Sequence, residues 1–277
     1  MQIKYLVSSM IFWWRENKLS FEQDCELLRS LGLGIELWPT IRGQAACRYN
    51  RRNWSRLAAA TNGMNVSMLS RDDHPSLKQW QEQIQCAEIL KASIVAKPEQ
   101  LLALNGNHQK NHYDRINLDF ASEIVKLAQK YNVRLCLETG ELATVKQIGD
   151  KFDSLSYCLD TGFANLDTVF NFEQYVDQLA PKIRHLHLHD NYGITDDHEP
   201  PGLKGGISKD KWQYLLDTLS RYDNEVTCCL EMYPSMPAIM IRQAAEFIFD
   251  ELKWPDEPKK MLNARKAVAL PKRNTAL

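Results

Sequence analysis

The sequence lacks long apolar runs, paired-cysteine motifs and an excess of charge of either sign, and each absence excludes a class of protein. No apolar run approaches the roughly 20 residues that cross a bilayer. The first residues carry a single lysine and no cleavage-site pattern, unlike a secretory signal. We therefore expect a cytoplasmic protein with no membrane partner.

The cysteines and the net charge narrow the class further. None of the seven cysteines forms a Cys-x-x-Cys pair, and several lie in apolar runs such as 134–137 and 226–230. This usage is typical of reduced core cysteines in the cytosol. The formal net charge of −1 offers no broad attraction for a polyanion. We therefore expect no nucleic-acid partner, whereas association into a homo-oligomer stays open.

What the sequence does contain is a regular alternation of short apolar strands with helical segments. The predicted strands are 3–10, 34–39, 64–69, 93–97, 133–139, 155–160, a stretch within 183–191, and 225–232. This alternation indicates a parallel sheet with crossover helices, and eight units favour a closed barrel. A doubly wound open sheet is the alternative, but no Gly-x-Gly-x-x-Gly turn follows the first strand. We predict an α/β fold, with a single (β/α)8 TIM barrel over residues 1–253 and a basic C-terminal extension over 254–277.

The seventh predicted strand has an unusual pattern. His185, His187 and His189 alternate with Leu186 and Leu188, so that one face is imidazole and the other is apolar, because successive side chains of a strand point in opposite directions. A leucine face would pack under a helix. The histidine face predicts one wall of a metal site.

Three of the last four predicted strands end in carboxylates. Glu138, Asp160 and Glu231 each close an apolar run, at the end of the strand where barrel enzymes carry their active residues. A single acid there is usually a turn residue or a helix cap, but a carboxylate at the edge of a dry interior is costly unless it is paired or metal-bound. Together with His187, the three acids form an oxygen-rich set suited to one divalent ion: Mn²⁺, Mg²⁺ or Co²⁺, with Zn²⁺ as a further candidate.

At this point the residues carry a family resemblance. The order Glu, Asp, His, Glu on the late strands is similar to the xylose isomerase-like barrel superfamily, which contains sugar epimerases, sugar isomerases and endonuclease IV. The best local matches are Leu159-Asp160-Thr161-Gly162, His187-Leu188-His189-Asp190-Asn191 and Asp196-Asp197-His198. The resemblance covers residues 3–252, and its motifs specify the superfamily better than the substrate.

The resemblance implies a function and a set of roles. Glu138, Asp160, His187 and Glu231 would hold one divalent ion, which would polarise a carbonyl of a small sugar or polyol-derived substrate. Glu138 and Glu231 would be the catalytic proton acceptor and donor in an epimerase or isomerase that works through an enediolate. A metal-dependent dehydratase or lyase of the same superfamily is the first alternative. An endonuclease IV-like phosphodiesterase and a non-enzymatic sugar-binding barrel are the others.

Two departures from the superfamily pattern bear on these alternatives. Phe163 stands where relatives commonly carry a histidine, and the ends of the third and fourth strands contain no histidine. In endonuclease IV those histidines contribute to a three-zinc cluster. The departures therefore favour one metal ion over three and proton transfer over phosphodiester cleavage.

The predicted substrate contacts lie around the same end of the barrel. They are Trp13, Trp14, Glu36, Trp38, Lys97, His189 and His198. Tryptophans after the first strand would form a wall against a sugar ring, with ordinary core or surface packing as the alternative. His185 would be a deeper, hydrogen-bonded core residue, and a solvated side chain is the alternative for Lys97. Asp190 would either orient an imidazole or cap the next turn.

Overall fold

Eight parallel strands close into a barrel in the order of the chain. The structure is a computed structural model that describes residues 1–15, 20–39, 47–70, 75–102, 118–234 and 237–268. The strands are β1 (Gln2–Ser8), β2 (Gly34–Leu37), β3 (Val66–Leu69), β4 (Ser93–Ala96), β5 (Leu135–Glu138), β6 (Ser156–Asp160), β7 (Ile183–Leu188) and β8 (Glu225–Leu230). Each strand pairs with the next, and β8 closes the barrel on β1. The predicted (β/α)8 fold is confirmed.

Helices cover the outer face of the barrel. They are α1 (Phe21–Leu31), α2 (Trp54–Ala60), α3 (Leu77–Leu90), α4 (Asp119–Lys130), α5 (Leu142–Lys151), α6 (Thr161–Leu166), α7 (Phe172–Leu179), α8 (Lys209–Ser220), α9 (Pro237–Ala245) and α10 (Lys259–Val268). Capping boxes begin α1, α3 and α7 at Ser20, Ser76 and Asn171, where a side-chain oxygen accepts one of the backbone N–H groups left free in the first turn. Within the described part of the chain, no helix is long and apolar enough to span a membrane.

The hydrophobic core lies mainly between the strands and the helices, and the barrel interior is different. The large outer cluster includes the fully buried Trp80 and Trp212. Inside the barrel, a small apolar cluster contains Leu69, Val95, Cys136 and Cys158, with Trp38 packed against it. Barrel interiors are usually filled by bulky branched side chains. In this protein polar side chains occupy part of that space, and the candidate site is built from them.

Several boundaries of predicted elements differ from the structure, and two of the differences lie at the C-terminal ends of β1 and β7. The first strand ends at Ser8, and a 3₁₀-helix follows over Ser9–Arg15, because an apolar run alone does not distinguish a strand from a buried helical turn. The histidine strand ends at Leu188, so His189 lies beyond the ladder of β7.

The start of the predicted C-terminal extension packs against the barrel. Trp254 and Met261 are buried. The backbone N–H of Ile3 donates to Asp256 Oδ2 at 2.8 Å, and the Tyr5 hydroxyl donates to the carbonyl oxygen of Pro255 at 2.8 Å. Both bonds lie within the first four residues of β1, away from the strand ends that carry the carboxylates.

Candidate metal centre

Four consecutive strands bring the predicted ligands together. Glu138 and Asp160 end β5 and β6, His187 lies near the end of β7, and Glu231 directly follows β8. Asp160 and His187 are partners in the β6–β7 ladder. One ligand atom of each of the four residues lies within 4.8 Å of the others, and all four side chains are buried. The parallel ladders therefore place the ligands at one height in the barrel.

The Nδ1 atom of His187 lies at the middle of the cluster. It is 2.8 Å from Glu138 Oε1, 3.0 Å from Glu231 Oε2 and 3.9 Å from Asp160 Oδ2. One ring nitrogen cannot satisfy three carboxylates, and the buried Glu138 Oε2 has no hydrogen-bond partner among the described residues. Three carboxylate oxygens and one imidazole nitrogen around an excess of negative charge match the donor set of a divalent ion. The residues fit the predicted metal.

The electrostatics show how the cluster holds its charge. Burial lowers the pKa of His187, but the surrounding acidic groups, including Glu231 and Glu138, raise it well above its usual value. Burial raises the pKa of Glu138 in spite of the facing His187. Burial also raises the pKa of Glu231, but the charges of His187 and His198 bring this pKa below its usual value. A proton on His187 would supply a positive charge that metal binding would displace.

Glu36 lies beneath the cluster, inside the barrel, and is fully buried. Its Oε1 is 3.1 Å from His187 Nε2, and its Oε2 is 3.0 Å from His185 Nε2. Ser67 Oγ donates to Oε2 at 2.8 Å, and Cys229 Sγ donates to Oε1 at 3.4 Å. Burial raises the pKa of Glu36, but the two histidines hold it well below its usual range. Glu36 therefore contacts histidines inside the barrel and not the rim where a substrate would bind. The strand pattern predicts that its side chain points inward, but it does not predict how deep in the barrel the side chain lies.

His189 and His198 form a second wall beside the ligands. His189 Nε2 lies 2.8 Å from Asp160 Oδ1, and the two imidazole rings are stacked, with centroids 3.9 Å apart and planes 13° apart. His198 Nδ1 donates to the carbonyl oxygen of Glu231 at 2.9 Å, and its Nε2 lies 3.1 Å from Asp196 Oδ2. Both predicted substrate contacts already face protein groups.

Asp190 organises the loop after β7. Its side chain accepts hydrogen bonds from the backbone N–H groups of Asn191, Gly202, Leu203 and Ile207, at 2.7–3.1 Å. Of the two roles considered from the sequence, the structure shows the capping one. No local sequence pattern indicates that this residue binds backbone groups more than ten positions away.

The remaining predicted contacts lie at the rim of the barrel or cannot be placed. Lys97 is exposed after β4, and the charge of Glu138 raises its pKa in spite of partial burial. Trp38 is half-buried against the inner apolar cluster. The side chains of Trp13 and Trp14 lie outside the described residues.

Two aromatic residues near the rim were missed by the sequence analysis. Tyr233 follows Glu231 and is 51% exposed, with its ring centroid 5.2 Å from that of His198. Tyr192 follows β7 and is 54% exposed. Their position directly after strand-end ligands was the available signal.

Comparisons with known proteins agree with this architecture. The model of the xylose isomerase-like TIM barrel family matches residues 22–251. A D-tagatose 3-epimerase-like protein is 18% identical, with 95% of this chain and 98% of that chain covered and a TM-score of 0.60. The 3-keto-D-glucoside 4-epimerase from E. coli is 13% identical, with 90% of this chain and 100% of that chain covered and a TM-score of 0.61. An L-ribulose 3-epimerase is 14% identical, with both chains covered in full, at 100%, and a TM-score of 0.60. No curated protein sequence matches the chain.

Proposed function

The chain belongs to the xylose isomerase-like TIM barrel family, and on this premise we propose that it is a divalent-metal-dependent sugar epimerase or isomerase. The observation that carries the proposal is the buried group of Glu138, Asp160, His187 and Glu231 at one end of the barrel. The fold places such a group where loops can enclose a small substrate. The named epimerases with the same fold support a sugar as that substrate.

The proposed metal ligands are the same four residues, and they would hold one ion, with Mn²⁺, Mg²⁺ or Co²⁺ favoured by the oxygen-rich donor set. When bound, a divalent ion supplies Lewis acidity that polarises a substrate carbonyl and makes the neighbouring C–H acidic. His187 holds its ring between Glu138 and Glu231. The chain thereby keeps the two catalytic carboxylates at a fixed separation.

Glu138 and Glu231 are the proposed acid and base. They come from β5 and from the end of β8, and the strands that carry Asp160 and His187 lie between them. A carbon held above the cluster would therefore meet the two carboxylates from different sides. One would remove its proton and the other would return a proton to the resulting enediolate. Return on the opposite face gives an epimer, and return to the neighbouring carbon gives an isomer.

The rim residues are proposed to hold the sugar. Lys97, whose pKa is raised by the charge of Glu138, would donate to a substrate oxygen. Trp38, together with Trp13 and Trp14, would pack against the carbon skeleton. His189 and His198 would fix the positions of Asp160 and Glu231, to which they are hydrogen-bonded.

Solvent deuterium incorporation tests this function. Metal-loaded protein in deuterated water, incubated with a panel of ketoses and ketose phosphates, should place deuterium on the carbon next to the carbonyl, as read by NMR. Glu231→Gln should abolish incorporation, whereas Asp217→Ala, which changes an exposed carboxylate on α8, should not change it. Loss of water from the sugar would indicate a dehydratase, and cleavage of abasic DNA would indicate a phosphodiesterase. The absence of exchange with every sugar would contradict the proposal.

A further inference from the structure

Glu36 is a further buried carboxylate that does not belong to the set of proposed metal ligands. It lies in the interior of the barrel, on β2, and is fully buried. A buried carboxylate is costly unless hydrogen bonds or opposite charges compensate it. Each of its oxygens has two partners. Oε1 faces His187 and Cys229, and Oε2 faces His185 and Ser67.

The two nitrogens of His187 face different layers of the barrel. Nδ1 points to the proposed ligands Glu138 and Glu231, at 2.8 and 3.0 Å. Nε2 points in the other direction and lies 3.1 Å from Glu36 Oε1. A neutral imidazole carries one N–H, and the hydrogen bond of that N–H decides which nitrogen keeps a lone pair for a metal. His187 Nε2 makes no hydrogen bond of good geometry among the described residues, and Glu36 Oε1 is the carboxylate oxygen that lies beside it.

We propose that Glu36 is a positioning residue that holds the His187 ring with Nε2–H toward the barrel interior, so that Nδ1 is the metal-ligating nitrogen. The inference rests on the metal site of the proposed function and not on the sugar reaction. A ring turned over would place a carbon beside Glu36 and leave its Oε1 with only the weak Cys229 thiol donor. The carboxylate therefore selects one of the two ring orientations.

A second set of contacts keeps Glu36 itself in place. Ser67, its partner in the β2–β3 ladder, donates its hydroxyl to Oε2. His185 lies on the same face of β7 as His187 and is fully buried, with Nε2 3.0 Å from Oε2. Because Ser67 and His185 hold Oε2, the other oxygen, Oε1, has a fixed position under His187. This explains why a second histidine lies beneath the metal cluster without touching its carboxylates.

Metal affinity separates this positioning role from a role in stability. Mn²⁺ binding, followed by the EPR signal of free Mn²⁺, should weaken about 10- to 100-fold in Glu36→Gln, because one amide oxygen cannot accept from both histidines. Ser67→Ala should weaken binding by a smaller factor. Leu37→Ala is the matched control, since this neighbouring residue of β2 packs in the outer core. It should lower stability and leave the Mn²⁺ affinity unchanged.

A spectroscopic measurement on the parent protein tests the same point without a variant. In long-range ¹H–¹⁵N spectra of the Zn²⁺-loaded protein, coupling to the ring hydrogens distinguishes Nδ1 from Nε2. The expected result is a protonated His187 Nε2 and a metal-bound Nδ1. A metal-bound Nε2, or a Glu36→Gln affinity within twofold of the parent, would overturn the inference. Weakened binding in Glu36→Gln combined with no sugar exchange would support it while contradicting the proposed reaction.

Discussion

A β-carbon on Gly162 would lie 2.0 Å from Cε1 of His189. Gly162 is the second residue of α6, and its missing side chain is the space that the His189 ring occupies. From that space His189 Nε2 reaches Asp160 Oδ1 at 2.8 Å. The glycine therefore determines how the second proposed metal ligand is held.

The first prediction follows from this close approach. Gly162→Ala should displace the His189 ring, release Asp160 and weaken Mn²⁺ binding about tenfold, in addition to an overpacking cost of about 1–3 kcal/mol in stability. Gly149→Ala is the control, because a β-carbon there would meet the Tyr157 hydroxyl at 2.1 Å, on the outer side of the barrel. It should destabilise the protein similarly and bind Mn²⁺ like the parent. Equal affinities in both variants would refute the role of Gly162.

The second prediction concerns Asp190 and the loop that it binds. Asp190→Ala leaves the buried backbone N–H group of Ile207 and the part-buried ones of Gly202 and Leu203 without their acceptor, so the free energy of unfolding should fall by about 3 kcal/mol. Hydrogen exchange at Leu203 and Ile207 should accelerate. Asp217→Ala should change stability by less than about 0.5 kcal/mol, as an exposed substitution. Unchanged exchange at both amides would show that Asp190 does not order the loop.

The third prediction concerns the C-terminal segment. Ending the chain after residue 253 removes the buried side chains of Trp254 and Met261, each of which contributes about 2 kcal/mol by burial. It also removes the Asp256 carboxylate that accepts from the Ile3 N–H. Urea unfolding should therefore show a loss of about 4 kcal/mol or more. A chain that ends after residue 268 should keep the stability of the parent, and equal stabilities of the two shortened chains would contradict the prediction.

The fourth prediction concerns the effect of a metal on stability. An ion that binds only the folded protein should raise the free energy of unfolding by about 2.7 kcal/mol at 100 times its dissociation constant. Thermal unfolding with Mn²⁺ and with a chelator measures this difference. Asp160→Asn should lose most of the difference, whereas Gly149→Ala should keep it. A parent protein whose unfolding does not respond to Mn²⁺ would argue against the site.

Much of the architecture could be predicted because the relevant signals are local. A period of two in strand residues and the alternation with helices identify the barrel, and an acid at the end of an apolar run identifies Glu138, Asp160 and Glu231. The short helix α6 was missed because its six residues carry no amphipathic pattern. Helix α10 was missed because its charges resemble a solvated tail, although it packs against α1.

The features that escaped prediction depend on depth and on distant contacts. The inward face of Glu36 follows from alternation, but its place beneath His187 depends on the register between β2 and β7 across the barrel, which no local pattern reports. The capping role of Asp190 depends on a loop that returns from residues 202–207. In the same way, the sequence predicts His189 as a substrate contact, whereas α6 and Gly162 allow its ring to lie buried against Asp160.

The most direct test of the central claim is the metal content of the protein purified without added metal. Elemental analysis should find one divalent ion per chain in the parent and in Leu37→Ala, and close to none in Glu138→Gln or Asp160→Asn. A parent protein without a bound divalent ion that also fails to take one up on dialysis, or a Glu138→Gln variant with the full metal content, would contradict the account.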